Sequence, residues 1–223
     1  RLHTRSAAPF SSYFRVNNQA ILCASPERFI CKQKDRITSQ PIKGTARRSE
    51  NSQEDKLIQE NLVQDIKERA ENVMIVDLVR NDLSKIAQKG SVHVSELCGL
   101  YTFKTVHQLI SSVHARVDTT VNTSTILEAL FPMGSMTGAP KVSAIQHIHA
   151  YEGFDRGIYS GSIGFIEPNG NFDFNVVIRT LVINEDAKKV SSSVGGAITI
   201  KSDPEQEYEE CLIKLKAIRE TLS

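Results

Sequence analysis

The sequence predicts an α+β fold with a mixed or antiparallel sheet, and three observations support this. Short apolar or alternating runs come first, long segments of helical periodicity follow, and a second group of short runs precedes a final helical segment. Because the strands are grouped rather than alternating one by one with helices, a regular parallel arrangement is not expected. With 223 residues, 40% of them hydrophobic, the chain can bury a sizeable core in one large or two small domains.

The first part of the chain predicts short strands and then a long helix. The runs SSYFRV, QAILCA and RFICKQ, between Pro9 and Ile37, are apolar or alternating and are separated by turn-forming residues. Between Ser49 and Ala87 the apolar residues recur at intervals of three to five, which predicts an amphipathic helical stretch with room for a kink. We expect this stretch to end near Gly90.

The middle of the chain predicts two strands and two helices. The runs SVHVSEL and LYTFKTVHQLISSVHARV read as a strand pair, and the helix predicted at TSTILEALF is stopped by Pro132. The glycine-rich turn GSMTGAPK follows, and its Pro140 suits the first position of a helix through KVSAIQHIHAYEG.

Three further strands and a closing helix are predicted for the remainder. The strands are SGSIGFIEP, NFDFNVVIRTLVIN and KVSSSVGGAITI, and the first two are joined by NGN, which is typical of a hairpin. Asp203 reads as a helix cap, with Gln206 three residues later, and apolar residues line one face from there to the end.

Composition narrows the function classes. The 27 Lys and Arg residues balance 26 Asp and Glu and are scattered, so neither nucleic acid nor an anionic membrane is an expected partner. The four cysteines include no C-x-x-C pair, which argues against zinc and favours buried thiols in a reducing compartment. No apolar run is long enough to span a bilayer, and RLHTRSAAPF lacks the apolar core of a signal peptide. We therefore expect a soluble, cytoplasmic protein.

Two acidic pairs lie on the predicted helices. Glu68 and Glu71 are three residues apart, as are Glu207 and Glu210, so each pair lies on one side of its helix. Carboxylate oxygens suit Mg²⁺, particularly when an anionic substrate completes the coordination. On spacing alone, however, a solvated helix face explains each pair at least as well.

Other polar positions are individually ambiguous. GSMTGAPK lacks the final lysine-hydroxyl pair of a phosphate-binding loop; Ser135 and Thr137 could instead hold a carboxylate, or the segment could be a plain tight turn. SVGGAIT could let a ligand approach bare backbone or could be a strand irregularity. His107, in an apolar run, reads as a structural histidine, whereas Arg179 in the strand VVIRTL requires an anion.

Taken in order, several blocks of the sequence resemble one enzyme family. They are APFSSYF, SPERF, PIKGT, KERAENVMIVDLVRNDLSKI, GSMTGAPK, YSGSIGF, VVIRT and SDPEQEYEE. This series is similar to the catalytic part of the chorismate-utilising enzymes, which include anthranilate, aminodeoxychorismate, isochorismate and salicylate synthases. The resemblance implies a sandwich of mixed or antiparallel sheets flanked by helices. It also implies that residues 1–223 form one chorismate-binding catalytic domain that lacks the family's N-terminal portion.

Lys43 indicates which member of the family the chain resembles. Anthranilate synthases carry P-I-A-G-T at this block, and aminodeoxychorismate synthases carry P-I-K-G-T, as this chain does. The resemblance implies that Lys43 adds to C2 of chorismate while the C4 hydroxyl leaves, and that ammonia then takes C4 and expels the lysine. Glu27 matches the family's general acid, which must be desolvated to stay partly protonated. The product would be 4-amino-4-deoxychorismate, the precursor of p-aminobenzoate in folate biosynthesis.

The resemblance also implies a metal, a partner and further site residues. Mg²⁺ would be bound by Glu71, Glu207 and Glu210, with Glu68 beside them, and a glutamine amidotransferase subunit would supply ammonia. Substrate binding is implied for the remaining matched positions: Gly44, Thr45, His107, Ser135, Tyr159, Arg179, Gly195 and Gly196. Two alternatives stay open, namely an anthranilate synthase component I and a non-catalytic binding subunit of the same family.

Overall fold

The structure is a computed structural model that describes residues 1–200 and 202–222. The chain divides into two compact units. Unit 1 contains Arg1–Glu27, Phe154–Ile163 and Asn175–Ser223, and unit 2 contains Arg28–Gly153 and Gly164–Phe174. Each unit has its own sheet and its own helices. The predicted α+β class with antiparallel strands is confirmed.

Unit 1 is built on a four-stranded sheet with the order β1-β2-β10-β11. These strands are β1 (Phe10–Val16), β2 (Gln19–Ser25), β10 (Thr180–Asn184) and β11 (Lys189–Ser191). The pairs β1–β2, β2–β10 and β10–β11 are all antiparallel. Two helices complete the unit, α1 (Leu2–Ser6) and α7 (Pro204–Leu222). Their apolar residues join those of the sheet in a core of Leu2, Ala8, Ala24, Leu181 and Ile218.

Two predicted strands are shorter than the sequence pattern indicates. The run NFDFNVVIRTLVIN is divided into β9 (Phe172–Asn175) and β10, and Arg179 between them has a φ of 53°. The last predicted strand ends at Ser191, and residues 192–200 form no strand. Here side chains from α7 and from the segment before it supply hydrogen bonds, because Lys214 Nζ donates to the Gly195 carbonyl and Ser202 Oγ to that of Ala197.

Unit 2 contains a seven-stranded sheet in which β7 (Val106–Arg116) has the most partners. The other strands are β3 (Arg28–Gln33), β4 (Arg36–Gln40), β5 (Ile42–Arg47), β6 (His93–Thr102), β8 (Gly164–Ile166) and β9. Their order is β5-β7-β4-β3-β9-β8, and β6 also pairs with β7. β4 pairs with one stretch of β7 and β5 with the next, both antiparallel. The predicted NGN hairpin is confirmed between β8 and β9, with Gly170 at a φ of 81°.

The predicted long helix of unit 2 is two helices. They are α2 (Ser52–Gln64) and α3 (Ile66–Ser84), and the break falls at Asp65, whose side chain accepts a hydrogen bond from the Glu68 backbone N–H. The unit also contains α4 (Thr123–Leu130), α5 (Gly134–Thr137) and α6 (Lys141–Tyr151). Ile30, Ile37, Leu109, Val113 and Ile126 are among its most deeply buried side chains.

Two chain-wide features accompany the fold. The four cysteines are free thiols, of which Cys23 and Cys98 are buried and Cys31 and Cys211 half-buried. In the described ranges, no helix is both long enough and apolar enough to cross a membrane.

Candidate active site

Lys43 lies on a β-bulge in unit 2. Ile42 is paired with Ile110 and Thr45 with Gln108, so the two residues Lys43 and Gly44 lie opposite the single residue Leu109. Gly44 adopts a φ of 91°, which favours glycine. Lys43 is half-buried, and no side chain in the described residues forms a hydrogen bond or ion pair with its ammonium.

Helix α3 packs against this bulge. A Cβ at Gly44 would lie 3.1 Å from Leu109 Cδ1 and 3.3 Å from Glu68 Cβ, so only glycine lets the helix approach this closely. Glu68 and Glu71 are both half-buried on α3. Unit 2 thus brings together Lys43, Gly44 and Glu68 from the predicted set, while Thr45 is exposed and its hydroxyl accepts a 3.4 Å bond from Gln108 Nε2.

His107 lies in a buried polar network. It has no exposed surface, its Nε2 donates to Asp55 Oδ1 at 2.9 Å, and its Nδ1 is 2.9 Å from Thr102 Oγ1. Asp55 also accepts two hydrogen bonds from Arg48, and these bonds, followed by that from His107, hold the pKa of Asp55 well below its usual range. Both ring nitrogens of His107 have hydrogen-bond partners within the protein, as expected for a structural histidine.

The GSMTGAPK turn includes α5. Ser135 is half-buried within it, and the Thr137 hydroxyl donates to the Met133 carbonyl at 3.1 Å rather than pointing to a ligand. The turn is followed by Lys141, whose ammonium donates to the Leu130 carbonyl at 3.1 Å and forms an ion pair with the buried Asp82. This buried ion pair, which the sequence did not predict, fixes the start of α6.

In unit 1, the second acidic pair lies beside the two predicted glycines. A Cβ at Gly196 would lie 2.9 Å from Glu207 Oε2 and 3.7 Å from Glu210 Oε2, so both carboxylates border the space that this glycine leaves open. Ser202 Oγ donates to Glu207 Oε1 at 2.8 Å. Lys214 Nζ is 2.7 Å from Glu210 Oε1 and donates to the Gly195 carbonyl at 2.8 Å.

Tyr159 and Arg179 belong to the same cluster of unit 1. A Cβ at Gly195 would lie 2.9 Å from the Tyr159 hydroxyl. Burial lowers the pKa of the Arg179 guanidinium, whereas the neighbouring Glu210 and Tyr159 act in the opposite direction. The Arg179 Nη1 donates to the Lys214 carbonyl at 3.4 Å. Unit 1 therefore brings together the six predicted residues Tyr159, Arg179, Gly195, Gly196, Glu207 and Glu210.

Glu27 follows β2 in unit 1. Its residue surface is only 6% exposed. Its backbone N–H donates to Ser25 Oγ at 3.2 Å, and its carbonyl accepts from Val176 N–H at 3.1 Å. The backbone at Glu27 is therefore held on both sides.

The predicted carboxylates suit Mg²⁺ in chemistry, although no group of three or more His, Cys, Asp or Glu among residues 1–200 and 202–222 is arranged to hold a metal. Oxygen ligands are those that Mg²⁺ prefers. The Oε2 atoms of Glu207 and Glu210 border the space at Gly196, and Lys214 Nζ lies 4.0 Å from the Cβ position of that glycine, so a divalent cation bound there would replace the Lys214 ammonium beside Glu210. The donor set of this pair therefore fits a hard divalent cation.

Three residues of these clusters were missed from the sequence. Lys214 follows Glu210 by four residues on one helix, a spacing that predicts an ion pair and could have been noticed. Asn72 interrupts the buried face of α3, and a polar residue at a core position is itself a signal. Ser202 bonds Glu207 from outside the helix, and no local pattern indicates that contact.

Comparison with known proteins places the chain in a family. Residues 1–220 match the family described as chorismate binding enzyme. The chain is 41% identical to "Aminodeoxychorismate synthase component 1" of Escherichia coli (strain K12), an alignment that covers 100% of this chain and 49% of that protein. It is 43% identical to "Probable aminodeoxychorismate synthase, chloroplastic" of Oryza sativa subsp. japonica, over 97% of this chain and 24% of that protein.

A solved structure of a related enzyme has a similar fold. The crystal structure of anthranilate synthase component I from Streptococcus pneumoniae TIGR4 has a TM-score of 0.84 and 30% identity, covering 96% of this chain and 47% of that chain. The chain thus spans about half of that protein and of the bacterial relative, and a quarter of the plant one. The family match over nearly all residues, together with these relatives, shows that this chain belongs to the chorismate binding enzymes.

Proposed function

We propose that this protein is the chorismate-converting component of an aminodeoxychorismate synthase. It converts chorismate and ammonia to 4-amino-4-deoxychorismate, which feeds p-aminobenzoate and folate biosynthesis. The observation that carries this proposal is Lys43, which stands on a bulge with an unpartnered ammonium among the described residues. Support comes from the 41% identity, over the whole chain, to a relative with that name.

In the first proposed step, Lys43 is the nucleophile. Its neutral amine forms a bond to C2 of chorismate and then loses a proton to solvent, both ring double bonds shift (C1=C2 to C1=C6 and C5=C6 to C4=C5), and the C4–O bond breaks. Glu27 donates a proton to the departing hydroxyl, which leaves as water. The burial of Glu27 supports this role, because a carboxyl group removed from water keeps its proton more readily.

In the second step, ammonia attacks C4. Both double bonds shift back, the bond between C2 and the Lys43 nitrogen breaks, and the lysine leaves as a neutral amine after taking the proton that the incoming ammonia nitrogen releases. The covalent adduct divides one difficult substitution into two easier ones. The ring carboxylate and the enolpyruvyl group are unchanged in both steps.

The remaining predicted residues bind the substrate in this proposal. Chorismate is a dianion, and Arg179 is a half-buried cation with one 3.4 Å hydrogen bond among the described residues, so it can pair with the enolpyruvyl carboxylate. Tyr159 and the backbone at Gly195 and Gly196 assist. Gly44, Thr45, Ser135 and His107 would border the ring, with the buried His107 acting through its neighbours.

We propose Mg²⁺ as the cofactor, held by Glu71, Glu207 and Glu210 with Glu68 beside them. When bound, such a cation neutralises a substrate carboxylate and withdraws charge from the conjugated ring. In the structure, Lys214 forms an ion pair with Glu210.

The proposed partner is a glutamine amidotransferase subunit that delivers ammonia. The "component 1" in the names of bacterial relatives supports a second component. We propose a cytoplasmic location, on the basis of the thiol content, while plant relatives are named as chloroplastic.

The deciding experiment identifies the product. Purified protein is incubated with chorismate, Mg²⁺ and ammonium, and the products are separated and identified by mass spectrometry. Aminodeoxychorismate is the expected product. Anthranilate, aminated at C2, would contradict the proposal and identify the chain as an anthranilate synthase component.

A second experiment tests the nucleophile. Mass spectrometry of the intact protein, quenched during turnover without ammonium, should detect a substrate adduct at Lys43. The adduct should be absent in Lys43→Ala and present in Lys104→Ala, which removes an exposed lysine of the same unit. An adduct that persists in Lys43→Ala would exclude this lysine as the nucleophile.

Calorimetric titration with chorismate separates enzyme from scaffold. Binding that strengthens with Mg²⁺, together with turnover, supports an enzyme. Binding that is independent of the metal, without product, would indicate a non-catalytic binding subunit.

A further inference from the structure

We infer that Asn72 is the positioning residue for Lys43, an inference that rests on the proposed role of Lys43 as nucleophile. Asn72 lies on α3, next to Glu71 in sequence, and has no exposed surface. Its side chain contacts the backbone of the bulge rather than any reacting group. It therefore acts through the conformation of Lys43 and not on the substrate.

The bulge explains why a positioning residue is needed. Two residues of β5 face one residue of β7, so the regular exchange of backbone hydrogen bonds is interrupted between the pairs Ile42–Ile110 and Thr45–Gln108. Carbonyl groups at such an interruption need partners from elsewhere. A bulge also changes the direction in which its side chains point, so its exact conformation decides where the Lys43 amine lies.

Asn72 supplies the missing partners from both sides of the bulge. Its Nδ2 donates to the Lys43 carbonyl at 3.4 Å and to the Leu109 carbonyl at 3.3 Å. These carbonyls belong to residues that face each other across the two strands. The Asn72 amide therefore links β5 to β7 at the bulge, where the regular backbone pairing of the two strands is interrupted.

The orientation of the Asn72 amide is itself fixed. Its Oδ1 accepts a 2.5 Å hydrogen bond from Ser111 Oγ, and that hydroxyl oxygen accepts from the Cys98 backbone N–H at 2.9 Å. Because carbonyl groups only accept hydrogen bonds, the NH₂ end must face Lys43 and Leu109. Every polar atom of the Asn72 side chain thus has a partner, and the amide cannot turn away from the bulge without losing one.

The test compares two substitutions in this one network. Asn72→Asp keeps the size of the side chain and the oxygen bonded to Ser111, but it removes both N–H donors to the bulge. Ser111→Ala is the control, since it removes a bond of Asn72 and leaves both donors in place. Aminodeoxychorismate formation, kcat, KM and thermal unfolding are measured for both variants and for the unchanged protein.

We expect kcat to fall about 10-fold to 100-fold in Asn72→Asp with KM changed by less than about 3-fold, since misplacing a nucleophile affects the chemical step more than binding. In Ser111→Ala, kcat should stay within about 3-fold even though the melting temperature falls. Equal losses of kcat in the two variants, or no loss in Asn72→Asp, would overturn the inference. If Asn72→Asp does not fold, the uncharged Asn72→Ser takes its place with the same expectation.

A second readout does not depend on chorismate. Lys43 is acylated with acetic anhydride under native conditions, and its labelling rate is measured by peptide mass spectrometry relative to Lys104. The ratio should change at least about 3-fold in Asn72→Asp and stay unchanged in Ser111→Ala. If the unchanged protein forms no aminodeoxychorismate, the proposed function fails, yet this ratio still decides whether Asn72 controls the Lys43 amine; an unaltered ratio refutes it.

Discussion

The polar clusters of the two units are built in opposite ways. In unit 2, Asn72 and His107 are completely buried, and all the nitrogen and oxygen atoms of these side chains have partners within the protein. In unit 1, Arg179 is half-buried, and its side chain makes one hydrogen bond, at 3.4 Å, among the residues described. A guanidinium has five N–H donors, so most of them have no partner among these residues.

This difference in hydrogen bonding indicates a structural role for the cluster in unit 2 and a ligand-binding role for Arg179 in unit 1. A fully satisfied buried network makes its part of a protein rigid and gains nothing from a ligand. A desolvated charge with few partners destabilises the folded protein and gains strongly from an anion. We therefore expect substitutions in unit 2 to lower stability, and a substitution at Arg179 to lower function alone.

The largest effect is expected for Arg179→Met. Removing the cation that we propose to pair with the substrate carboxylate should lower kcat/KM by about 100-fold, the value of a hydrogen-bonded charge pair. The free energy of unfolding should change little, since the loss of the attraction to Glu210 is offset by the removal of a partly desolvated charge.

Steady-state kinetics and urea unfolding measure both quantities. Arg15→Met is the control in the same unit, because Arg15 forms an exposed ion pair with Glu185. It should alter stability by less than about 0.5 kcal/mol and leave kcat/KM unchanged. A marked loss of stability in Arg179→Met would remove the contrast between the units.

His107→Leu should show the reverse behaviour. It removes one hydrogen bond from the buried Asp55 carboxylate, which keeps those from Arg48 and Ser49, and one from the Thr102 hydroxyl. The loss of a hydrogen bond to a buried charged group costs about 1.5–3 kcal/mol. Urea unfolding should detect this loss of stability, and KM for chorismate should change less than in Arg179→Met. If instead KM rises steeply at full stability, His107 contacts the substrate directly.

A helix cap gives a smaller, graded effect. Asp203 Oδ1 accepts from the Gln206 backbone N–H at the start of α7, and Asn122 accepts from Thr125 N–H at the start of α4. Replacing either by Ala should cost about 1 kcal/mol of stability. Only Asp203→Ala should also raise the Mg²⁺ concentration needed for half-maximal activity, because α7 carries Glu207 in its first turn. If Asp203→Ala and Asn122→Ala need the same Mg²⁺ concentration for half-maximal activity, α7 does not take part in metal binding.

The smallest expected effect concerns pH. Burial lowers the pKa of His114, with further contributions from Arg36 and His93, and Ser95 and Thr38 contact its ring nitrogens. The folded state therefore disfavours the proton more than the unfolded state does. Stability from this group is present above the ordinary histidine pKa, about 6.5, and is lost as pH falls below it.

Urea unfolding between pH 8 and pH 5 measures this slope, which His114→Gln should reduce. An unchanged slope would show that the neutral network around His114 does not contribute. The comparison concerns the slope rather than the absolute stability, so a uniform loss in the variant does not obscure it.

Features that depend on a few neighbouring residues were predicted correctly from the sequence, whereas the length of a strand was not. The capping residue Asp203, the proline after α4 and the NGN hairpin were read correctly, because each acts within a few residues of its own position. The strand predicted through Arg179 was too long, since the backbone turns at a positive φ at this residue, and its side chain donates a hydrogen bond to the Lys214 carbonyl of α7. Alternating apolar residues indicate burial on one face but do not show which sheet a strand joins.

For the candidate site, too, the sequence determined the local features and the tertiary structure determined the contacts between distant residues. The sequence by itself determined the α+β class, the two glutamate pairs, and the PIKGT block that distinguishes Lys43 from the alanine of anthranilate synthases. Only the tertiary structure decided that Lys43 stands on a bulge, that Asn72 closes that bulge, that His107 is buried with both nitrogens occupied, and that Lys214 pairs with Glu210. The physical reason is that residue type and spacing fix local conformation, whereas hydrogen bonds between distant segments depend on how the folded chain brings them together.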